Sequence, residues 1–292
     1  MRLTIRRGFA ACAALLGAAC ALAQVPGKTY AQELVDRSLV QQRDLLVMVM
    51  QATPPGQSQT MIVASNIGRL GQLADPDELK LIKGGETRVK PSADGRRLSI
   101  NLVLQDVVGN AVGSLGLVWP RAPGQDEAAL VERSLRLRDS LAQRTLTGAS
   151  LLDAYPFEAG ATTKTRAQRI IDEAVAADPR IAVLALRGKA SADGELVLLG
   201  STFGRHGKKA DADDLKVMSA TVPATGLYGG GKRFGVDLSL HDAGGTLIGT
   251  MNVGYRVRTG EDTQPWLAHA LNLRPAIEQR IASAAALAEL DP

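Results

Sequence analysis

The feature that most restricts this chain is that it carries one pattern twice. Ser65-Asn66-Ile67-Gly68-Arg69-Leu70-Gly71 returns as Ser201-Thr202-Phe203-Gly204-Arg205-His206-Gly207. At the offset that sets Ser65 against Ser201, Ala74, Asp75, Asp77, Leu79 and Lys80 meet Ala210, Asp211, Asp213, Leu215 and Lys216. Arg97, Leu102, Leu104, Asp106, Gly109 and Gly113 likewise meet Arg233, Leu238, Leu240, Asp242, Gly245 and Gly249. Gln143-Arg144 meets Gln279-Arg280. One ungapped register of this length means two copies of a whole domain, since solenoid repeats are far shorter. The copies occupy 28–146 and 164–290, with a connector over 147–163.

Each copy reads as an α+β unit. Leu34, Val35 and Leu39, and in the second copy Ile170, Ile171 and Val175, mark one face of a leading helix. Asp178-Pro179 ends the second of these, because proline disfavours helical geometry in the residue before it. Strands follow at 45–52 and 60–65, joined by Pro54-Pro55-Gly56, whose counterpart Ser191-Ala192-Asp193-Gly194 holds a hairpin-forming Asp-Gly. A short helix at 76–83 or 212–219 comes next, then a weak strand near Thr87 or Ala224. Two longer strands, 97–105 with 111–119 and 233–241 with 246–256, alternate apolar and polar residues as half-buried antiparallel strands do. A closing helix runs over 126–144 and 263–287. The expected order is α-β-β-α-β-β-β-α, twice.

That order resembles a known family. The Ser-x-x-Gly-Arg-x-Gly loop running into Ala-Asp-x-Asp-x-Leu-Lys, and the Asp-x-x-Gly turn between the last strands, are similar to the PAS-like extracytoplasmic sensor domains called Cache or PDC domains. The resemblance covers both copies and implies tandem PAS-like domains, each an antiparallel sheet with flanking helices. It also implies a pocket on the sheet that captures a small metabolite, often an amino acid or a carboxylate. The aromatic, Arg and Asp signature of the amino-acid-binding tandem Cache domains has no match here. Nor does a membrane helix or output domain follow, so any response is expected to pass through a membrane receptor or transporter partner.

The N-terminus sets the expected compartment. Arg2, Arg6 and Arg7 precede an apolar stretch over 9–22 that ends in Ala21-Leu22-Ala23, the pattern of a cleaved secretory signal over 1–23. Cleavage near Ala23 predicts a periplasmic protein and removes both cysteines, Cys12 and Cys20, so disulfide and thiol chemistry are excluded. It also takes the formal charge from +4 to +1, since three arginines and no acids leave. With basic residues interleaved among acidic ones and 3% aromatics, there is no footprint for nucleic acid. No apolar run in the mature chain reaches the roughly 20 residues of a membrane span.

Chemistry-bearing patterns mostly reduce to local structure. The segment from Gly226 to Lys232 satisfies G-x-x-x-x-G-K, but Arg233 stands where a phosphate loop needs Ser or Thr and a strand follows instead of a helix, which predicts a hairpin loop. Asp75 to Glu78 and Asp211 to Asp214 lack the spacing of a calcium loop and suit helix N-caps. His206, His241 and His269 form no ligand pair, and no nucleophile elbow is present. Asp106 and Asp242 are expected to order their turns. The Gly-Arg-x-Gly bends are the exception: glycines let backbone N–H groups approach an anion, and arginine offers a planar fork for carboxylate or phosphate. The bland alternative pairs each arginine with Asp75 or Asp211. The candidate ligand contacts are therefore Arg69 in the first copy, and Ser201, Arg205, His206 and Lys208 in the second, where Tyr228, Tyr255 and Arg233 are also at hand. The sequence thus predicts a non-enzymatic periplasmic protein that binds a small organic anion, with no metal, cofactor or nucleic acid. The alternative is a structural or adaptor protein of an envelope complex.

Overall fold

The computed structural model describes residues 27–291 except 123, 159, 190 and 192; the expected signal at 1–23 lies outside the described residues, as does Ala192 of the expected 191–194 turn. The first repeat runs α1 (Tyr30–Gln41), β1 (Val47–Ala52), β2 (Met61–Ser65), α2 (Pro76–Gly84), β3 (Arg88–Pro91), β4 (Arg97–Gln105), β5 (Ala111–Pro120) and α3 (Glu127–Arg144). The second runs α4 (Arg166–Ala177), β6 (Ile181–Lys189), β7 (Leu196–Ser201), α5 (Ala212–Ser219), β8 (Ala224–Tyr228), β9 (Arg233–His241), β10 (Leu247–Arg256), α6 (Gln264–Glu278) and α7 (Ala284–Ala288). Each forms a five-stranded antiparallel sheet, in the orders β2-β1-β5-β4-β3 and β7-β6-β10-β9-β8. These are two PAS-like domains of α+β class, in the element order the sequence implies.

Period-two alternation decides what each sheet face does. Met48, Met50, Leu98, Ile100, Leu102, Leu104, Leu115 and Leu117 are fully buried on one face, in the first core with Leu34 and Val35 of α1 and Leu137 and Leu141 of α3. Trp119 closes this core, its indole N–H donating to Ser134 Oγ at 2.8 Å. In the second repeat Leu184, Leu186, Val236, Leu238, Met251 and Val253 do the same against α4 and α6. The helices start where their caps dictate. Thr29 and Thr165 each accept from the N–H three residues on, and Asp75 and Asp211 each make a capping box on α2 and α5. Asp106 and Asp242 order their turns as expected, each accepting two backbone N–H groups.

The second closing helix departs from the single run expected over 263–287. α6 stops at Glu278, and α7 begins only at Ala284. Between them Ile281 turns inward to 1% exposure, and its carbonyl accepts the N–H of Ala243 in the β9–β10 turn. Ser283 then caps the new helix through the N–H of Ala286. The segment that follows α3 behaves alike: a 3₁₀ turn at Ala149–Leu152 buries Leu151 in the first core, and Tyr30 N–H donates to Asp153 O. Arg166 N–H donates to Glu289 O in the matching place of the second repeat.

Candidate functional site

The sheet face away from each core meets the short helix and leaves a cleft. In the first repeat it has a volume of about 290 Å³, between β1, β4, β5 and α2. In the second it has about 480 Å³, between β6, β9, β10 and α5. The two clefts are built from equivalent positions but differ in charge. Gln51, Glu78, Asn101 and Gly116 in the first become Arg187, Asp214, Asp237 and Asn252 in the second.

The first cleft pairs Gln51, Glu78 and Ser114 with one another. Gln51 Nε2 donates to Glu78 Oε2, and Ser114 Oγ donates to Gln51 Oε1, both at 2.8 Å. In the second repeat, arginine in place of Gln51 has no acceptor to offer, and the buried Thr250 hydroxyl that replaces Ser114 meets no hydrogen-bond partner among the described residues. Arg187 Nε sits 3.0 Å from Asp214 Oδ2, an ion pair without hydrogen-bond alignment. Burial pushes the Asp214 carboxyl up, against the pull of Arg187. Asp237 is likewise pushed up by burial, with the donated Asn252 amide pulling the other way. Arg233 lies over the Tyr228 ring, 5.1 Å from its centroid, and its buried Nη1 meets no acceptor among the described residues. Burial draws its guanidinium pKa down, yet an arginine stays charged.

The structure divides the sequence-derived candidates among three places. Tyr228 and Arg233 line the larger cleft, and Arg69 lines the smaller one from an exposed bend. Ser201, Arg205, His206 and Lys208 gather at the contact between the repeats. The Ser201 hydroxyl donates to Gly204 O within its own loop. Arg205 pairs with Asp153, not with Asp211, whose carboxylate is spent on the α5 N-terminus. It also lies 5.6 Å from the Phe157 ring centroid. Lys208 Nζ donates to the same Asp153 at 2.8 Å. His206 Nε2 is 2.8 Å from Gln168 Oε1, and burial, with Arg37 and Arg144 nearby, pulls its pKa to about 4. Tyr255 is not at either cleft: it is fully buried, stacked on Trp266, with its hydroxyl 2.8 Å from His269 Nδ1. Both bends hold arginine at positive φ, 64° at Arg69 and 67° at Arg205, so the local fold is the same while the use differs.

Sequence reasoning missed Arg187, Asp214, Asp237 and Asn252. The signal was present in the repeat itself: β6, β9 and β10 carry charged or amide side chains on the face opposite the core, where the first copy has smaller or neutral ones. The three glycines Gly229, Gly230 and Gly231 form the β8–β9 turn at positive φ, which is a hairpin and no phosphate loop. Among the described residues, no group of three or more His, Cys, Asp or Glu could hold a metal ion, and no helix is long and apolar enough to cross a membrane.

No protein-family model and no curated protein matches this chain. Among solved structures it is similar to a light-oxygen-voltage domain studied with a flavin analogue, at 18% identity over 35% of this chain and 95% of that one, with a TM-score of 0.22. It is also similar to the DhaR(N)–DhaL complex of E. coli, at 11% identity over 78% and 85% of the two chains and a TM-score of 0.29. PelD of Pseudomonas aeruginosa PAO1 matches at 17% identity over 88% and 79%, with a TM-score of 0.28. None of these carries an argument about ligand or partner; the PAS-like description rests on the strand orders above.

Proposed function

We propose that this is a non-enzymatic, exported binding protein of the Cache-like kind, which captures a small organic anion in the cleft of its second repeat. The observation that carries this reading is Arg233, a cation lining a cleft of about 480 Å³ with a buried Nη1 that no acceptor among the described residues satisfies. A buried guanidinium N–H left unpaired is costly, and a carboxylate or similar oxyanion is its natural complement. Tyr228, 43% exposed at the mouth, offers a ring to an organic body. The cleft brings no nucleophile–base pair to this arginine, which favours binding without turnover. The periplasm is the proposed compartment, on the N-terminal pattern alone, and a membrane receptor or transporter would read the bound state.

Calorimetry of the purified mature chain against a panel of small mono- and dicarboxylates tests the proposal. A carboxylate should bind at micromolar or better affinity, and Arg233→Ala should weaken it by about 100-fold, the scale of one charge-assisted contact. Unchanged affinity in Arg233→Ala, or no heat from any anion, would refute the assignment of this cleft.

A further inference from the structure

The outer strand of a sheet shows unpaired N–H and C=O groups and invites another strand unless something blocks it. The edge strands here are β2 and β3 in the first repeat, β7 and β8 in the second. Along β2 the chain's own loop runs antiparallel, with Ile62 N–H donating to Gln72 O and Ala74 N–H to Thr60 O. The matching loop covers β7, through Leu198 N–H to Lys208 O and Ala210 N–H to Leu196 O. The β3 edge is guarded by composition, with Arg88, Lys90 and Pro91. Among the described residues nothing runs along β8, and the positions of those guards hold Ala224, Gly226 and Leu227. This edge has no charge and no proline, and Leu227 is 59% exposed. The first repeat steadies it: Val107 and Leu146 plug against Val183, Ala185 and Phe203, and Asn110 Nδ2 donates to Gly229 O at 2.9 Å, just beyond β8.

The duplication also shows which groups of β8 are free. Pro91 pairs with Leu98 although it has no N–H to give, and Ser92 N–H donates to Arg97 O at 2.9 Å. Successive residues of an antiparallel strand point their backbone groups to opposite sides, so position 91 faces outward. Leu227 holds the same register against Phe234. The N–H and C=O of Leu227, and of Thr225 two residues earlier, therefore point away from β9.

We propose that two copies of this chain pair through β8, antiparallel about a two-fold axis at Gly226, and join their second-repeat sheets into one. That register sets Thr225 of each copy opposite Leu227 of the other, so the outward N–H and C=O groups of both residues satisfy one another. The two Leu227 side chains become diagonal neighbours on one face and cover each other's exposed surface. On the other face Ala224 meets Tyr228 of the second copy. Both residues line the larger cleft, so each cleft gains a ring from the other chain at its rim. A second copy is the occupant because this strand is its own complement: it carries no charge to repel itself, and the symmetric register leaves neither residue's outward groups unpaired. The guarded β3 edge then stops growth at two chains, as a closed isologous contact requires. The inference does not depend on the small-molecule reading.

Sedimentation equilibrium of the mature chain should show a dimer at about 100 µM, a range suited to a small interface. Hydrogen exchange should find the Thr225 and Leu227 amides protected in the dimer and released on dilution. Leu227→Pro transplants the first repeat's own guard and removes only an outward N–H. It should leave the circular dichroism spectrum intact and weaken association by about tenfold or more. Thr225→Lys, which keeps every ladder donor, should do the same by setting like charges across the axis. A monomer at that concentration, a dimer indifferent to both variants, or a dimer whose Thr225 and Leu227 amides exchange as fast as in the monomer would each overturn the proposal.

Discussion

Asp237 and His206 show how single residues set the electrostatics of the larger cleft and of the contact between the repeats. Asp237 faces the same cleft as Arg233, and burial raises its pKa. Its charge opposes any anion drawn to Arg233, so removing that charge favours binding. Anion affinity should therefore rise as the pH falls through the raised Asp237 and Asp214 range, and Asp237→Asn should tighten it by roughly tenfold, about 1.4 kcal/mol, while reducing that pH dependence to the part Asp214 carries; calorimetry at several pH values checks both. His206 acts on stability instead. Its folded pKa of about 4 lies below the ordinary 6.5, so the unfolded chain binds the proton first as the pH falls. The stability held by neutral His206 is complete above pH 6.5 and is lost progressively between about 6.5 and 4, to the extent of roughly 2–3 kcal/mol. His206→Gln, which keeps a donor toward Gln168, should remove most of that acid-side loss in urea titrations at pH 7 and pH 4.5.

Among the elements, the paired glycines at the start of the last long strands are the tightest constraint. A Cβ at Gly113 would lie 1.8 Å from Gln51 O, and one at Gly249 would lie 1.9 Å from Arg187 O. Both sit where the pairing of the long strands shifts register, between Leu104 and Gln105 and between Leu247 and Gly249. The contact is with backbone, so no rotamer change relieves it. Gly113→Ala or Gly249→Ala should cost about 3 kcal/mol or more by denaturant unfolding, with strand displacement visible as lost amide protection in β1 or β6. The repeat alignment already paired these two glycines, and it placed nearly every element because period-two strands and Asp-capped helices are written in local sequence. The break after α6 was hidden, because it exists to bury Ile281 and to pair with a turn some forty residues earlier. The site was half legible for the same reason. Tyr228 and Arg233 could be named from a conspicuous loop, whereas Arg187 and Asp237 acquire meaning only when β6 and β9 share a sheet with β10. Arg205 and His206 looked like an anion site locally, and a long-range partner, Asp153, claimed the arginine.

On the scale of the whole molecule, the two repeats are joined head to tail by an apolar plug and a polar clasp. Tyr30 OH donates to Phe203 O at 2.6 Å, Asp153 holds both Arg205 and Lys208, and Val107 is buried to 2%. The plug reaches the larger cleft, since Leu146 lines it beside Val183 and Ala185. On the proposed function, a ligand held in that cleft and the seating of the first repeat would be linked: a ligand bound against that wall would favour the seated arrangement, by the reciprocity that any linkage obeys. Val107→Asp places a carboxylate among Ala182, Val183 and Phe203, a desolvation that the Arg256 guanidinium on the Val107 carbonyl offsets only in part, and the cost of about 2 kcal/mol falls on the interface and on neither core. Calorimetric unfolding of this variant should resolve into two transitions where the parent shows one, because each repeat keeps its own core. Anion affinity in the cleft should fall with it, while a saturating ligand should draw the two transitions together again. A variant that still unfolds in one step with unaltered affinity would mean that the repeats are fused through the Asp153 clasp alone, and that the Val107 turn does not govern the cleft.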